Sequence, residues 1–222
     1  METLVPIHEL KPVGGDLALD FANTQSGPPG GAPDVESLGD YEDLLDWSRY
    51  VGLVDDRDVA ALRRLADGEP QEERRSFARA IALRRELFDV FDAIADAREP
   101  ARDALRRLQR TAADAQRHAD LIRIDGRFER RWTATDDLDR PLWPVAAAAV
   151  ELLVNGPLDR VKRCGGCRYL FVDETKNRSR RWCSMDDCGA DAKVRNFVAR
   201  RAAKRRAAAS KSGSPAANGS AG

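Results

Sequence analysis

Four cysteines, the only ones in 222 residues, fall within one short stretch as Cys164-x2-Cys167, fifteen intervening residues, then Cys183-x4-Cys188. Thiolates are soft ligands, and four of them complete a tetrahedral shell around one zinc ion. A pair two residues apart can turn both sulfurs onto one ion from a tight knuckle, and Gly165-Gly166 supplies the flexibility for it. The second pair straddles the expected start of a helix, where the partial positive charge of free amides also favours thiolates. A full shell leaves no position for water, so the expected cofactor is one structural Zn2+. Two other readings are a redox Cys-x-x-Cys and a pair of disulfides. The first lacks the surrounding alternation of strands and helices, and a reducing cytoplasm disfavours the second.

Basic residues gather around the cysteines. Lys176-Asn-Arg-Ser-Arg-Arg181 reads as a loop whose guanidinium groups suit phosphates, because they donate in bidentate fashion and keep their charge. After Cys188 the pattern is helical through at least Arg206. Val194, Phe197 and Val198 form a narrow apolar stripe, expected to pack on the cysteine module. Lys193, Asn196, Arg200 and Lys204 recur at helical spacing on the neighbouring face, as a row of donors for a phosphate backbone or a major groove. The candidate nucleic-acid contacts are therefore Lys176, Arg178, Arg180 and Arg181 from the loop, with Lys193, Asn196, Arg200 and Lys204 from the helix. A solvated helix end, its cations offsetting the helix dipole, would account for some of these residues but not for the loop. Tyr169-Leu-Phe-Val172 and Trp182 are expected to fill the module's small core rather than stack on bases.

The charge distribution supports an anionic partner. Lys plus Arg and Asp plus Glu both number 37, but from Leu158 onward the chain holds 16 basic and 6 acidic residues, against 21 and 31 before it. A basic end on an acidic chain most often meets nucleic acid. With 42% hydrophobic and 33% charged residues the composition is that of a globular protein with a real core. The longest apolar stretch, Val145 to Val150, is too short to cross a bilayer, and no secretory pattern opens the sequence. No membrane association and a cytoplasmic location are expected.

The elements that must position this module read as an α+β chain: a mainly helical N-terminal domain with a small antiparallel sheet, then the four-cysteine module with its basic C-terminal helix. Leu17-Ala-Leu-Asp-Phe-Ala-Asn-Thr24 alternates apolar and polar residues and is expected to be a short strand. Helices are predicted over Tyr41 to Val51 with Asp40 as cap, after Asp55, from about Gln71 to Ala97, and after Pro100. Leu121 to Ile124, Asp125-Gly126, then Arg127 to Trp132 is a hairpin with a two-residue turn, to which the Leu17 strand could add. Leu142 to Val154 is an Ala-rich helix ended by Asn155-Gly156-Pro157. The expected units are residues 1–157, 158–206 and a disordered tail, 207–222.

Phe171-Val-Asp-Glu-Thr-Lys-Asn-Arg-Ser-Arg-Arg-Trp-Cys-Ser-Met-Asp-Asp-Cys-Gly189 closely resembles the CGNR-type zinc finger of bacterial regulators. Leu17-Ala-Leu-Asp-Phe-Ala-Asn-Thr24, Tyr41-Glu-Asp-Leu-Leu and Trp143-Pro-Val-Ala resemble the ABATE domain that usually precedes it. The resemblance covers about residues 10 to 206 and implies a zinc-dependent, DNA-binding, stress-linked transcriptional regulator. One departure stands out: Gly189-Ala190-Asp191 replaces the family's Gly-Asn-Arg, putting an acid where an arginine would sit.

Three functions compete. A DNA-binding regulator accounts for zinc and charge together. A zinc-stapled protein- or RNA-interaction module accounts for the zinc alone, since small folds often need metal to stand. An enzyme would need the N-terminal Asp20, Asn23, Asp136 and Asp137 to gather near the sheet. The sequence has no phosphate loop, nucleophile motif or histidine pair to support catalysis, so none is expected. His8 and His118 read as surface or boundary residues. A small-molecule effector at the N-terminal domain and a homodimer are both compatible with the sequence.

Overall fold

In the computed structural model, which describes residues 3–212, strand β1 (Thr3–Leu4) leads through a 3-10 turn and the Gly14-Gly15 corner to Asp16. Gly15 has a φ of +72°, which lets the chain turn sharply. The Asp16 carboxylate then accepts from Ala18 N at 2.8 Å and starts helix α1 (Leu17–Ala22). The expected strand at Leu17 is thus a helix. Ala18, Leu19, Phe21 and Ala22 are all buried, so nearly every side of this one-and-a-half-turn element is apolar. Over so few residues alternation and helical period cannot be told apart, and the Asp16 cap decides.

Strands β2 (Gln25–Ser26) and β3 (Val35–Glu36) pair antiparallel across the Gly/Pro loop, and β1 adds to β3 in parallel. Helix α2 (Tyr41–Tyr50) is capped by Asp40. Helix α3 (Asp56–Gly68) begins with a reciprocal capping box between Asp55 and Asp58. Pro70 occupies the first position of α4 (Pro70–Ala95), where its missing N–H costs nothing. This long helix is the axis of the fold, burying Ala80, Leu83, Leu87, Val90 and Phe91 against the elements around it. Arg84 is buried on the same face and forms a two-armed ion pair with Glu36, its Nη2 lying 2.7 Å from Oε2. Helices α5 (Arg102–Arg117) and α6 (Leu142–Asn155) complete the bundle, and Trp47 and Trp143 are among its largest fully buried side chains.

The predicted hairpin forms as β4 (Asp120–Ile124) and β5 (Arg127–Arg131), with Asp125 and Gly126 both at positive φ in the turn. It stands apart from the β1–β3 sheet and is exposed along most of its length. The sheet near α1 is thus built from β1, β2 and β3 instead of from this hairpin.

After a 3-10 turn at Leu158–Arg160, strands β6 (Val161–Arg163) and β7 (Leu170–Val172) pair antiparallel. Val161, Leu170 and Val172 belong to the same hydrophobic core as α1, α4 and α6. Helix α7 (Cys188–Ser212) ends the described chain. It reaches six residues past Arg206, into a segment expected to be a disordered tail; the remainder of that tail, 213–222, lies outside the described residues.

Candidate metal centre and nucleic-acid interface

The strand β7 is held by the N-terminal body along the backbone edge that β6 leaves free. Asn23, buried at the end of α1, accepts from Leu170 N at 2.8 Å and donates Nδ2 to Leu170 O at 2.9 Å. Gly14 O accepts from Val172 N at 2.8 Å. Arg163 on β6 bonds Asp92 at 2.7 Å and Asp96 at 2.9 Å on α4. Arg168 lies over the Phe88 ring at 4.1 Å and donates to Gly31 O at 2.9 Å. The cysteine module is therefore docked on the helical body.

From this base the loop after β6 carries Cys164 and Cys167, and the loop before α7 carries Cys183. Cys188 is the first residue of α7. The ligand atoms of all four lie within 4.8 Å of one another, and the Cys167 and Cys183 sulfurs are 3.7 Å apart. Four sulfurs at zinc's bond length of about 2.3 Å would sit roughly 3.8 Å apart in a tetrahedron, so the donor set fits the ion in number, type and spacing. Cys164 Sγ accepts from Gly166 N at 3.3 Å and Cys183 N at 3.2 Å. Hydrogen bonds from the Cys167 and Cys183 thiols, then those amides, hold its pKa far below the ordinary thiol value. Their hydrogen bonds to Cys164 in turn push the Cys167 thiol up to about 12 and raise Cys183 as well. A divalent cation reverses that competition and keeps all four as thiolates.

The two glycines of the knuckle are there for space. A Cβ on Gly166 would stand 2.9 Å from Cys188 Cβ, and one on Gly165 would stand 2.8 Å from the Trp182 ring. Neither has positive φ, so close approach rather than flexibility is the reason for them. Phe171, Cys164 and Cys183 form the centre of the module's core, with Trp182 and Tyr169 packed on it as expected.

The basic loop is organised by Asp173, a residue whose role was not read from the sequence. Its buried carboxylate accepts from Lys162 Nζ at 2.6 Å, Thr175 Oγ1 at 2.6 Å, Thr175 N at 3.0 Å and Arg180 N at 3.0 Å. Burial alone would raise its pKa, but the lysine and the Thr175 donors hold it well below the usual range. Arg180 turns inward: it lies 4.1 Å over the Phe171 ring and donates to Val13 O at 2.8 Å and Cys183 O at 2.6 Å. Its guanidinium is spent on the fold, unlike the free phosphate donor expected from its place in the loop. Arg178, at φ +51°, pairs with Asp159 at 2.5 Å. Lys176 and Arg181 remain exposed, the latter 5.6 Å over Trp182.

Between Cys188 and Arg206 of α7, Ala192 is the last buried residue, and every side chain from Lys193 to Arg206 is exposed. Lys193, Asn196, Arg200 and Lys204 do share one face. Val194, Phe197 and Val198 do not pack on the finger, however, and stand 62%, 59% and 59% exposed. The helix leaves after one turn, and Tyr169, Phe171 and Trp182 already fill the module's small core. Asp191 lies in the first turn, where an acid offsets the helix dipole, on the side of the helix opposite the basic row.

Three of the four polar residues considered for catalysis serve structural bonds. Asp20 accepts from Gly14 N at 2.7 Å, Asn23 holds β7, and Asp137 accepts from Asp139 N at 2.8 Å. His8 is exposed in the first 3-10 turn, and His118 is an exposed ring stacked on Trp143 at 4.1 Å.

A helical body with a four-thiolate site docked on it and a basic helix leaving that site defines a metal-stapled, two-part protein. The family model ABATE, described as "Putative stress-induced transcription regulator", matches residues 15–156, and that of the CGNR zinc finger matches residues 160–201. The chain belongs to the ABATE family and carries a C-terminal CGNR zinc finger. Its four cysteines are positioned to hold one metal ion, as a structural zinc requires. No curated protein matches the chain. Among the described residues no helix is long and apolar enough to cross a membrane.

Proposed function

We propose that the protein is a cytoplasmic, zinc-dependent, DNA-binding transcriptional regulator. The observation that carries this reading is the surface of α7. From Lys193 to Arg206 it presents only exposed residues, and among the described residues its lysines and arginines form no ion pair with an acid. Most arginines of the body, by contrast, are matched to carboxylates. Free cations in a row on a helix fixed at one end by metal suit a phosphate backbone. Lys176 and Arg181 extend that surface, and the zinc keeps the start of α7 in place. The helical body, in this reading, senses an effector or mediates assembly, and no catalytic step is assigned to it.

The test is fluorescence anisotropy of the zinc-loaded protein on mixed-sequence duplex DNA across a salt series, with a chelated control. Binding that needs metal and weakens steeply with salt is expected, log K falling by about 0.9 per log salt for each phosphate neutralised. Absence of low-salt binding by folded, zinc-loaded protein would overturn the reading. The exposed Val194, Phe197 and Val198 favour a second reading, a protein- or RNA-interaction module, because an apolar stripe beside the basic row is more than a phosphate backbone uses.

A further inference from the structure

Between the α2–α3 turn and the β4–β5 hairpin lies a cleft of about 600 Å³, a size ordinary for small-molecule sites. Leu53 and Val54 form one wall, Ile122 and Ile124 the other, with Trp132 and Arg140 also lining it. Ile122 and Ile124 lie on the same face of the hairpin, and Leu121 and Phe128 lie on the opposite one. The walls are thus aliphatic, and the charge lies deeper.

Arg140 is only 5% exposed. Its Nε donates to Trp132 O at 2.9 Å and its Nη2 to Asp58 Oδ2 at 2.6 Å, which fixes the plane of the guanidinium. Nη1 has no hydrogen-bond partner. A buried guanidinium nitrogen without an acceptor is costly and calls for one. Asp58 is already engaged, accepting from Arg140 and from Asp55 N. Of the two further arginines along the cleft, Arg131 is paired with Glu129 at 2.7 Å and Arg130 extends from the same hairpin face as Leu121, so Arg140 Nη1 is the donor the cleft leaves open.

The geometry points to a binding site for a small apolar monocarboxylate, its carboxylate directed to Arg140 and its hydrocarbon or aromatic body between Val54 and Ile122. The site gives the sensing role proposed above for the helical body a place and a ligand class. It is a binding site in its own right, and its titration contains no DNA, so the two readings stand or fall separately. The hairpin wall, exposed along most of its length, can close on a ligand at little cost in packing.

The test is calorimetric titration of the full-length zinc-loaded protein with benzoate and with octanoate, against benzyl alcohol and inorganic phosphate. Saturable one-to-one binding of at least one acid is expected, about tenfold or more tighter than either control. Arg140→Lys should weaken it, but that variant also loses contacts to Asp58 and Trp132 and risks the fold. Ile122→Glu, which sets an anion in the cleft wall, should therefore weaken the acids about tenfold, while Leu121→Glu on the opposite hairpin face leaves them unchanged. Three results would each overturn the site: no saturable binding of either acid at millimolar concentration, equal binding of a control, or equal loss in the two hairpin variants.

Discussion

Asn23 and Leu170, 147 residues apart, pair as if they were neighbours in a sheet: the Asn23 side chain gives and takes one hydrogen bond each with the Leu170 backbone, at 2.9 and 2.8 Å. A side-chain amide stands in here for the strand that β7 lacks on that edge. The body thereby completes the finger's sheet without contributing a strand to it.

Replacing Asn23 with Ala leaves a buried N–H and a buried C=O without partners. The expected loss is about 2–4 kcal/mol, measured by denaturant unfolding. Asn23→Asp keeps the acceptor and loses the donor, so it should fall short of the wild type as well. A loss below about 0.5 kcal/mol for Asn23→Ala would show that β7 is held elsewhere.

Zinc removal should be felt beyond the finger. Val161, Leu170 and Val172 lie in the main core, so loosening the metal site exposes part of the surface that α1 and α4 bury. Chelation is expected to lower the melting temperature of the helical body by about 5 °C or more, as a loss of roughly 2 kcal/mol would in a chain of this size. Circular dichroism, dominated by the body's helices, reads this directly. An unchanged melt with zinc demonstrably removed would mean that the finger frays alone.

Asp20 gives a pH-dependent term of known sign. Burial, reinforced by the neighbouring Asp16 charge, raises its pKa to about 6 against the Gly14 amide that favours the ion. With the folded pKa above the unfolded one, its contribution is full below the ordinary carboxylate pKa and is lost as pH rises through about 6. Asp20→Asn keeps a carbonyl acceptor for Gly14 N. Relative to wild type it should be more stable above pH 6 by about 1–2 kcal/mol, the value reduced for partial solvent screening. The difference should shrink on acidification, as urea unfolding at several pH values would show.

Two arginines of the finger should behave in opposite ways. Arg200→Ala, on the open face of α7, is expected to leave stability within about 0.5 kcal/mol while lowering the salt slope of DNA binding by about one. Arg180→Ala removes hydrogen bonds to Val13 O and Cys183 O and a contact with Phe171. It should cost about 2–3 kcal/mol of stability and disturb zinc retention. Equal behaviour in melts and in anisotropy would refute the distinction.

These contrasts mark what could be read from residue order. The cysteine spacing carried the metal site, because zinc's requirements are local and few. Caps at Asp40 and Asp55 and the Asp125-Gly126 turn carried their elements, since each sets its own backbone. Leu17–Ala22 misled because a short element buried on nearly all sides has no polar face to betray its period. Arg180 misled for another reason: a run of basic residues says nothing about which one turns inward, and that is settled by Phe171 and the carbonyls of Val13 and Cys183. Asp173 stayed hidden because, beside Thr175 two residues on, its donors Lys162 and Arg180 N come from β6 and from the far end of the loop.

Helix α7 leaves the finger after a single turn, and the finger itself is bolted to the body through Asn23, Arg163 and Arg168. Its 25 residues therefore form a cantilever about 37 Å long with no hinge at its root. A tilt of the finger by only about 5° carries the far end of that beam roughly 3 Å sideways, close to the roughly 3.4 Å that separates successive phosphates of one strand along a duplex axis. The arrangement multiplies motion: an adjustment too small to disturb the zinc or the core at one end is a change of register at the other.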